Sequence, residues 1–147
     1  MSQPDQKEKF LAQVPLFKGL RDRQIKQLAS RFVTRAYHPH EYIVSQGKGG
    51  AGMFVVVSGH AEAILESMDG DKTVVNTFGP SDFFGEIALL DDGPRTASVV
   101  ATEETECLIL SRPDFIAVMQ ADAEMGVVIA QELANRIRKL INSLGSR

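Results

Sequence analysis

One stretch of this sequence groups residues whose types and spacing could do chemistry: Phe83-Phe84-Gly85-Glu86-Ile87-Ala88-Leu89-Leu90, then Asp91-Asp92-Gly93-Pro94, then Arg95-Thr96-Ala97-Ser98-Val99-Val100-Ala101. Gly85 can end a strand and let backbone pass close to a ligand, and Glu86 to Leu90 can form about one helical turn whose first amides favour an anion. Arg95 returns at the start of the next strand with a permanently charged, fork-shaped donor suited to phosphate oxygens. A carboxylate beside a phosphate is repelled, so Glu86 makes sense there as an acceptor for a sugar hydroxyl. Phosphate and sugar together describe a nucleotide. An Arg95–Glu86 ion pair that merely closes a loop fits the same residues equally well.

The elements around this stretch must hold it. With 147 residues and 44% hydrophobic content, the chain suits one domain over 1–147. Residues 1–32 read as a short helix through Lys9-Phe10-Leu11, a turn at Pro15, and a second helix with Ile25, Leu28, Ala29 and Phe32 on one face. Residues 33–111 change to short β-branched runs punctuated by glycine: Tyr42 to Val44, Met53 to Val57, Ala61 to Leu65, Thr73 to Phe78, Ala97 to Val100 and Cys107 to Leu110. That rhythm predicts a β-sandwich or barrel, with a tight primed turn at Asp69-Gly70. Over 112–145 the period is helical again. Ser111 and Asp114 resemble a capping box, a short helix runs to about Gln120, and a last helix aligns Met125, Ile129, Leu133, Ile137, Leu140 and Leu144.

Other signals exclude more than they add. Cys107 is the only cysteine and sits in an apolar run, which predicts a small buried hydrophobe. A net charge of -3 gives no general attraction to nucleic acid. No apolar stretch reaches membrane-span length, and Met1–Lys9 is polar, so a soluble cytoplasmic protein without membrane contact is expected. His38, His40 and Glu41 invite a metal reading of the kind used by cupin barrels, but their spacing, with Pro39 between the histidines, fits an exposed turn better. The Gly47 to Gly50 stretch reads as a flexible turn, since no Lys-Ser/Thr pair follows it as a phosphate loop requires. No Ser-His-Asp arrangement or Gly-x-Ser-x-Gly elbow is present, so no residue is nominated as catalytic and no cofactor is called for.

The stretch from Phe83 to Ala101 closely resembles the phosphate-binding cassette of the cyclic-nucleotide-binding domain family, of the catabolite-activator and protein-kinase-regulatory-subunit kind. Glu41-Tyr42-Ile43-Val44-Ser45-Gln46-Gly47 and Met53-Phe54-Val55-Val56-Val57-Ser58-Gly59 resemble two further strands of that family, and the likeness covers essentially the whole chain. It departs at Gly79-Pro80-Ser81-Asp82, where the family usually has Pro-Gly-Asp. The resemblance implies a mainly β fold, an eight-stranded jelly-roll barrel with N-terminal helices and C-terminal lid helices. It implies cyclic AMP or cyclic GMP as ligand, with Arg95 on the cyclic phosphate, Glu86 on the ribose 2′-hydroxyl, and Gly85, Ile87, Ala88 and Ala97 beside them. Thr96 falls at the purine-sensing position, which leaves the choice of base open. Arg136, Ile137 and Leu140 are the lid residues it nominates against the base, and the same helix could instead form a homodimer seam. The resemblance thus describes a non-enzymatic sensor that passes its signal to a protein effector. The rivals are a degenerate relative kept for protein contacts and a cupin-type metalloenzyme. No DNA-binding module follows Leu144 to Arg147, so the chain is expected either to act alone on a partner or to be an excised piece.

Overall fold

The computed structural model describes residues 6–49, 52–91 and 93–145. Two compact units emerge, a β unit over Phe32–Phe115 and a helical unit from the remaining N- and C-terminal segments.

The β unit is an eight-stranded jelly roll. Its strands are β1 (Val33–Tyr37), β2 (Tyr42–Val44), β3 (Gly52–Ser58), β4 (Ala61–Glu66), β5 (Lys72–Phe78), β6 (Phe83–Phe84), β7 (Ser98–Ala101) and β8 (Thr105–Ser111). They form two four-stranded antiparallel sheets, in the orders β1-β8-β3-β6 and β2-β7-β4-β5. Non-sequential neighbours in both sheets are the mark of the jelly roll, in which hairpins interleave across two sheets. Inward residues from both sheets make the core: Tyr37, Ile43, Phe54, Val56, Ala61, Ala63, Phe78, Phe84, Val99, Ala101 and Cys107. Phe84 anchors it, stacked on Phe54 at 5.0 Å between ring centroids and tilted against Phe78 at 4.9 Å. Because Phe84 immediately precedes Gly85, burying this ring fixes where the chemistry-bearing stretch begins.

One turn departs from expectation. The β4–β5 connection is not a tight primed turn but a five-residue loop, residues 67–71, because the Gly70 N–H bonds the Ser67 carbonyl at 3.0 Å and only Gly70 takes positive φ, at 86°. That is an ordinary turn closed by a left-handed glycine. The departure at residues 79–82 also has a structural cost: Ser81 sits at φ 76°, in the region glycine prefers. Ser111, by contrast, behaves as read, its hydroxyl accepting the Asp114 N–H at 3.2 Å and lying 3.1 Å from the Asp114 carboxylate.

The helical unit contains α1 (Gln6–Ala12), a 3-10 turn at Pro15–Phe17, α2 (Asp22–Ala29), most of α3 (Arg112–Ala121) and α4 (Ala123–Gly145). Leu11, Leu16, Phe17, Leu28 and Met125 are fully buried or nearly so. Phe32, read as part of the second helix's apolar face, lies beyond it. The helix ends at Ala29, where the Ser30 hydroxyl bonds the Gln27 carbonyl at 2.7 Å, and Phe32 is instead a buried residue leading into β1. Gln24, fully buried, joins α2 to the start of α4 by donating to Asp122 and Glu124 at 3.2 Å each. The predicted apolar line on the last helix is buried only at Met125 and Ile129; Leu133 is half-buried, and Ile137, Leu140 and Leu144 are exposed, as is Ile141 beside them.

Candidate phosphate and sugar site

The chain leaves β6 at Phe84 and turns through Gly85, whose φ of 81° is left-handed. The requirement is steric as well: a Cβ here would lie 2.6 Å from both Arg95 Nη1 and the Gly52 carbonyl oxygen. The missing side chain at Gly85 lets the backbone approach the Arg95 guanidinium. A 3-10 turn follows over Glu86–Leu89, pinned by fully buried Leu89. The Ala88 N–H donates to the Gly85 carbonyl at 3.0 Å, and the Asp91 N–H to Ile87 at 3.2 Å.

Arg95 is held at both ends. Its backbone N–H donates to Lys48 O and its carbonyl accepts from Gly47 N, both at 2.8 Å. Gly49 and Pro94 form a bridge beside them. The Gly47-Lys48-Gly49 segment, expected to be a flexible turn, is thus clamped to Arg95; Gly50 lies outside the described residues. The guanidinium reaches back to β3, donating from Nη2 to Gly52 O at 2.5 Å, with Cζ 5.9 Å from the Phe54 ring centre. Its Nε is buried with no hydrogen-bond partner among the described residues. Burial pulls the Arg95 pKa below its ordinary value, and the Asp91 carboxylate pushes it back up.

These elements enclose a cavity of about 320 Å³ within the β unit. Gly85, Glu86, Ile87, Ala88, Arg95, Thr96 and Ala97, all seven nominated for the ligand, line it. So do Val44, Ala63, Phe78, Phe84 and Val99 from the walls, together with Asp91, Gly93 and Pro94 from the connecting loop. The result is an apolar box with one guanidinium and two carboxylates near each other, a chemistry suited to a ligand that joins a phosphate to a hydroxyl-bearing ring. Arg136, Ile137 and Leu140 lie on an exposed part of α4 in the helical unit, and the cavity is lined from the β unit alone.

The residues that sequence reading passed over are the backbone acceptors at Lys48 and Gly52 and the carboxylate of Asp91. Only the glycines around the first two carried a signal. The histidines weighed for metal and read instead as turn residues stand at the turn between β1 and β2. His38 Nδ1 lies 3.0 Å from Glu104 Oε1, and that hydrogen bond holds the His38 pKa above its ordinary value. The His38 N–H donates to Glu41 Oε1 at 3.0 Å, and His40 adopts φ 70°.

The sequence pattern of the family described as "Cyclic nucleotide-binding domain" matches residues 34–122. The chain belongs to that family. Among its relatives, the cyclic AMP receptor protein of Thermus thermophilus is 35% identical over 125 residues, 85% of this chain and 58% of the receptor. The regulatory subunit of a cAMP-dependent protein kinase from Emericella nidulans is 38% identical over 108 residues, 74% of this chain and 26% of the subunit. The chain therefore spans less than two thirds of either relative. Among solved structures, the N-terminal domain of a transcriptional regulator from Streptomyces coelicolor A3(2) superposes with a TM-score of 0.83 at 28% identity, covering 92% of this chain and 94% of that one. As a member of the family, the chain has a cyclic-nucleotide-sensing fold, and none of its described helices is long and apolar enough to cross a membrane.

Proposed function

We propose that this chain is a single non-enzymatic sensor domain, acting in the cytoplasm, whose 320 Å³ cavity takes cyclic AMP or cyclic GMP. The observation that carries the reading is the convergence of Arg95, Glu86 and the Gly85–Ala88 turn on one cavity in a chain of this family. Arg95 pairs with the cyclic phosphate, since its Nη2 donates to the Gly52 carbonyl while its buried Nε has no hydrogen-bond partner among the described residues. Glu86 accepts the ribose 2′-hydroxyl, and the Gly85, Ile87 and Ala88 backbone, with Ala97, packs around the phosphate and sugar. Thr96, exposed at the cavity wall, is free to meet a purine edge with a hydroxyl that both donates and accepts, so either base fits its chemistry.

Output is assigned to α4. Its outer half, with Arg136, Ile137 and Leu140, closes over the base, and occupancy shifts the helix because the ligand binds the closed arrangement better. The exposure of Ile137, Leu140, Ile141 and Leu144, each between 57% and 64%, also supports pairing of two copies along α4 or capture of a protein effector there.

The test is calorimetric titration with cyclic AMP and cyclic GMP in parallel, with Arg95→Ala as control. A charge-assisted bond contributes roughly 1.5–3 kcal/mol, so the variant should bind roughly 10- to 150-fold more weakly. Micromolar or tighter binding that falls in this way supports the sensor and ranks the ligands. Absence of binding to both would overturn it and leave a fold kept for protein contacts.

A further inference from the structure

The charges lining the cavity do not balance. Arg95 is its one cationic side chain among the described lining residues, against two carboxylates, Glu86 and Asp91, so the lining sums to one positive and two negative charges. The sugar-hydroxyl role gives Glu86 a reason to be there. It gives none for Asp91, which follows the 3-10 turn and whose Oδ1 accepts the Gly93 N–H at 3.2 Å. That turn fixes a charge on the loop between Glu86 and Arg95.

We infer that Asp91 is a specificity-determining residue that restricts the cavity to singly charged phosphodiesters and rejects doubly charged terminal phosphates. The inference rests on the cyclic-nucleotide reading of the same site. A cyclic phosphate carries one negative charge, which Arg95 can neutralise. A 5′-monophosphate carries close to two at neutral pH, and its second charge meets no second cation among the described lining residues and lies in the field of Asp91. The two ligand classes share base and ribose, so charge is the property that this loop can sort. Asp91 and Arg95 line the same cavity, and the Asp91 carboxylate pushes the Arg95 pKa up against the effect of burial, so its field acts on the guanidinium. For partly solvated charges across such a cavity, each further unit of ligand charge is disfavoured by roughly three- to tenfold.

Asn at this position keeps an oxygen to accept the Gly93 N–H and removes only the charge. Wild type, Asp91→Asn and, as a remote charge control, Asp69→Asn are titrated with cyclic AMP and with 5′-AMP, the latter by competition against a fluorescent cyclic AMP analogue. In Asp91→Asn the preference for cyclic AMP over 5′-AMP should shrink by roughly three- to tenfold, less so in high salt, while Asp69→Asn keeps the wild-type ratio. An unchanged ratio in Asp91→Asn, with cyclic AMP still bound, overturns the role of Asp91 and leaves the sensor intact. Failure of wild type to bind either cyclic AMP or its analogue overturns the sensor reading, and this inference with it.

Discussion

Replacing Gly85 by alanine tests the geometry on which the site depends. Two costs are separable. The first is conformational: φ of 81° places an L-residue in the left-handed region, at about 1–2 kcal/mol. The second is steric, because the new methyl would meet the Gly52 carbonyl oxygen and Arg95 Nη1 at 2.6 Å. The guanidinium is the end of a flexible side chain and can move. The Gly52 carbonyl belongs to β3, which is paired with β8 from its first residue, and cannot move as freely. Overpacking of this kind costs about 1–3 kcal/mol more. Gly70→Ala supplies the control, since Gly70 has φ 86° but nothing within 4 Å of its added Cβ, and so bears the conformational cost alone. Urea unfolding should therefore show Gly85→Ala less stable than Gly70→Ala by about 1–3 kcal/mol. Cyclic nucleotide affinity should fall at least about tenfold in Gly85→Ala, as the displaced guanidinium loses one charge-assisted contact, and stay unchanged in Gly70→Ala. Equal stability of the two variants together with wild-type binding by Gly85→Ala would refute the claim that Gly85 exists to admit Arg95.

Stability at alkaline pH should report on Cys107, whose thiol is fully buried and pushed up to about 11 from 9.0, chiefly by burial. A folded-state pKa above the unfolded one favours folding in full below pH 9, and the advantage is lost as pH rises from 9 to 11, roughly 2–3 kcal/mol in all. Urea unfolding of Cys107→Ala across that window should be flatter than wild type, and parallel curves would argue against the thiol as the cause. Ser81→Gly should stabilise the protein by about 0.5–1 kcal/mol, because it relieves a left-handed serine at φ 76° in the turn before β6. Thermal unfolding would show it, and a lower midpoint would mean that the Ser81 side chain earns its strained position.

What sequence reading could reach depended on how far apart in the chain the interacting groups stand. Gly85, Glu86, Arg95 and Thr96 share one strand–turn–strand segment, so their residue types report directly on a common cavity. The strands at β2, β3, β4, β5, β7 and β8 were legible because β-branched residues recur between glycines. By contrast β1, with four of its five residues exposed and Arg35 among them, has no such run and was not singled out. The turn at Asp69-Gly70 was placed correctly and its type was not, because a glycine that supplies positive φ serves more than one loop length. Phe32 was misplaced since spacing alone continues a helix past a serine that can end it.

The partners of Arg95 were hidden for a different reason. Gly52 O stands 43 residues away, and Lys48 O meets Arg95 where the segments following β2 and preceding β7 run side by side; both are backbone carbonyls, which any residue would provide. What a sequence shows is the cation, and what decides its chemistry is how far the fold satisfies it. Here the fold satisfies it in part: one nitrogen has a carbonyl, the buried Nε has no partner among the described residues, and Phe54 supplies only a ring face. Under the proposed reading this shortfall is useful. An arginine already paired with two carboxylates would gain little from a phosphate, whereas one held in place with bonding capacity to spare gains a charge-assisted bond at little further cost in side-chain entropy, since its position is already set.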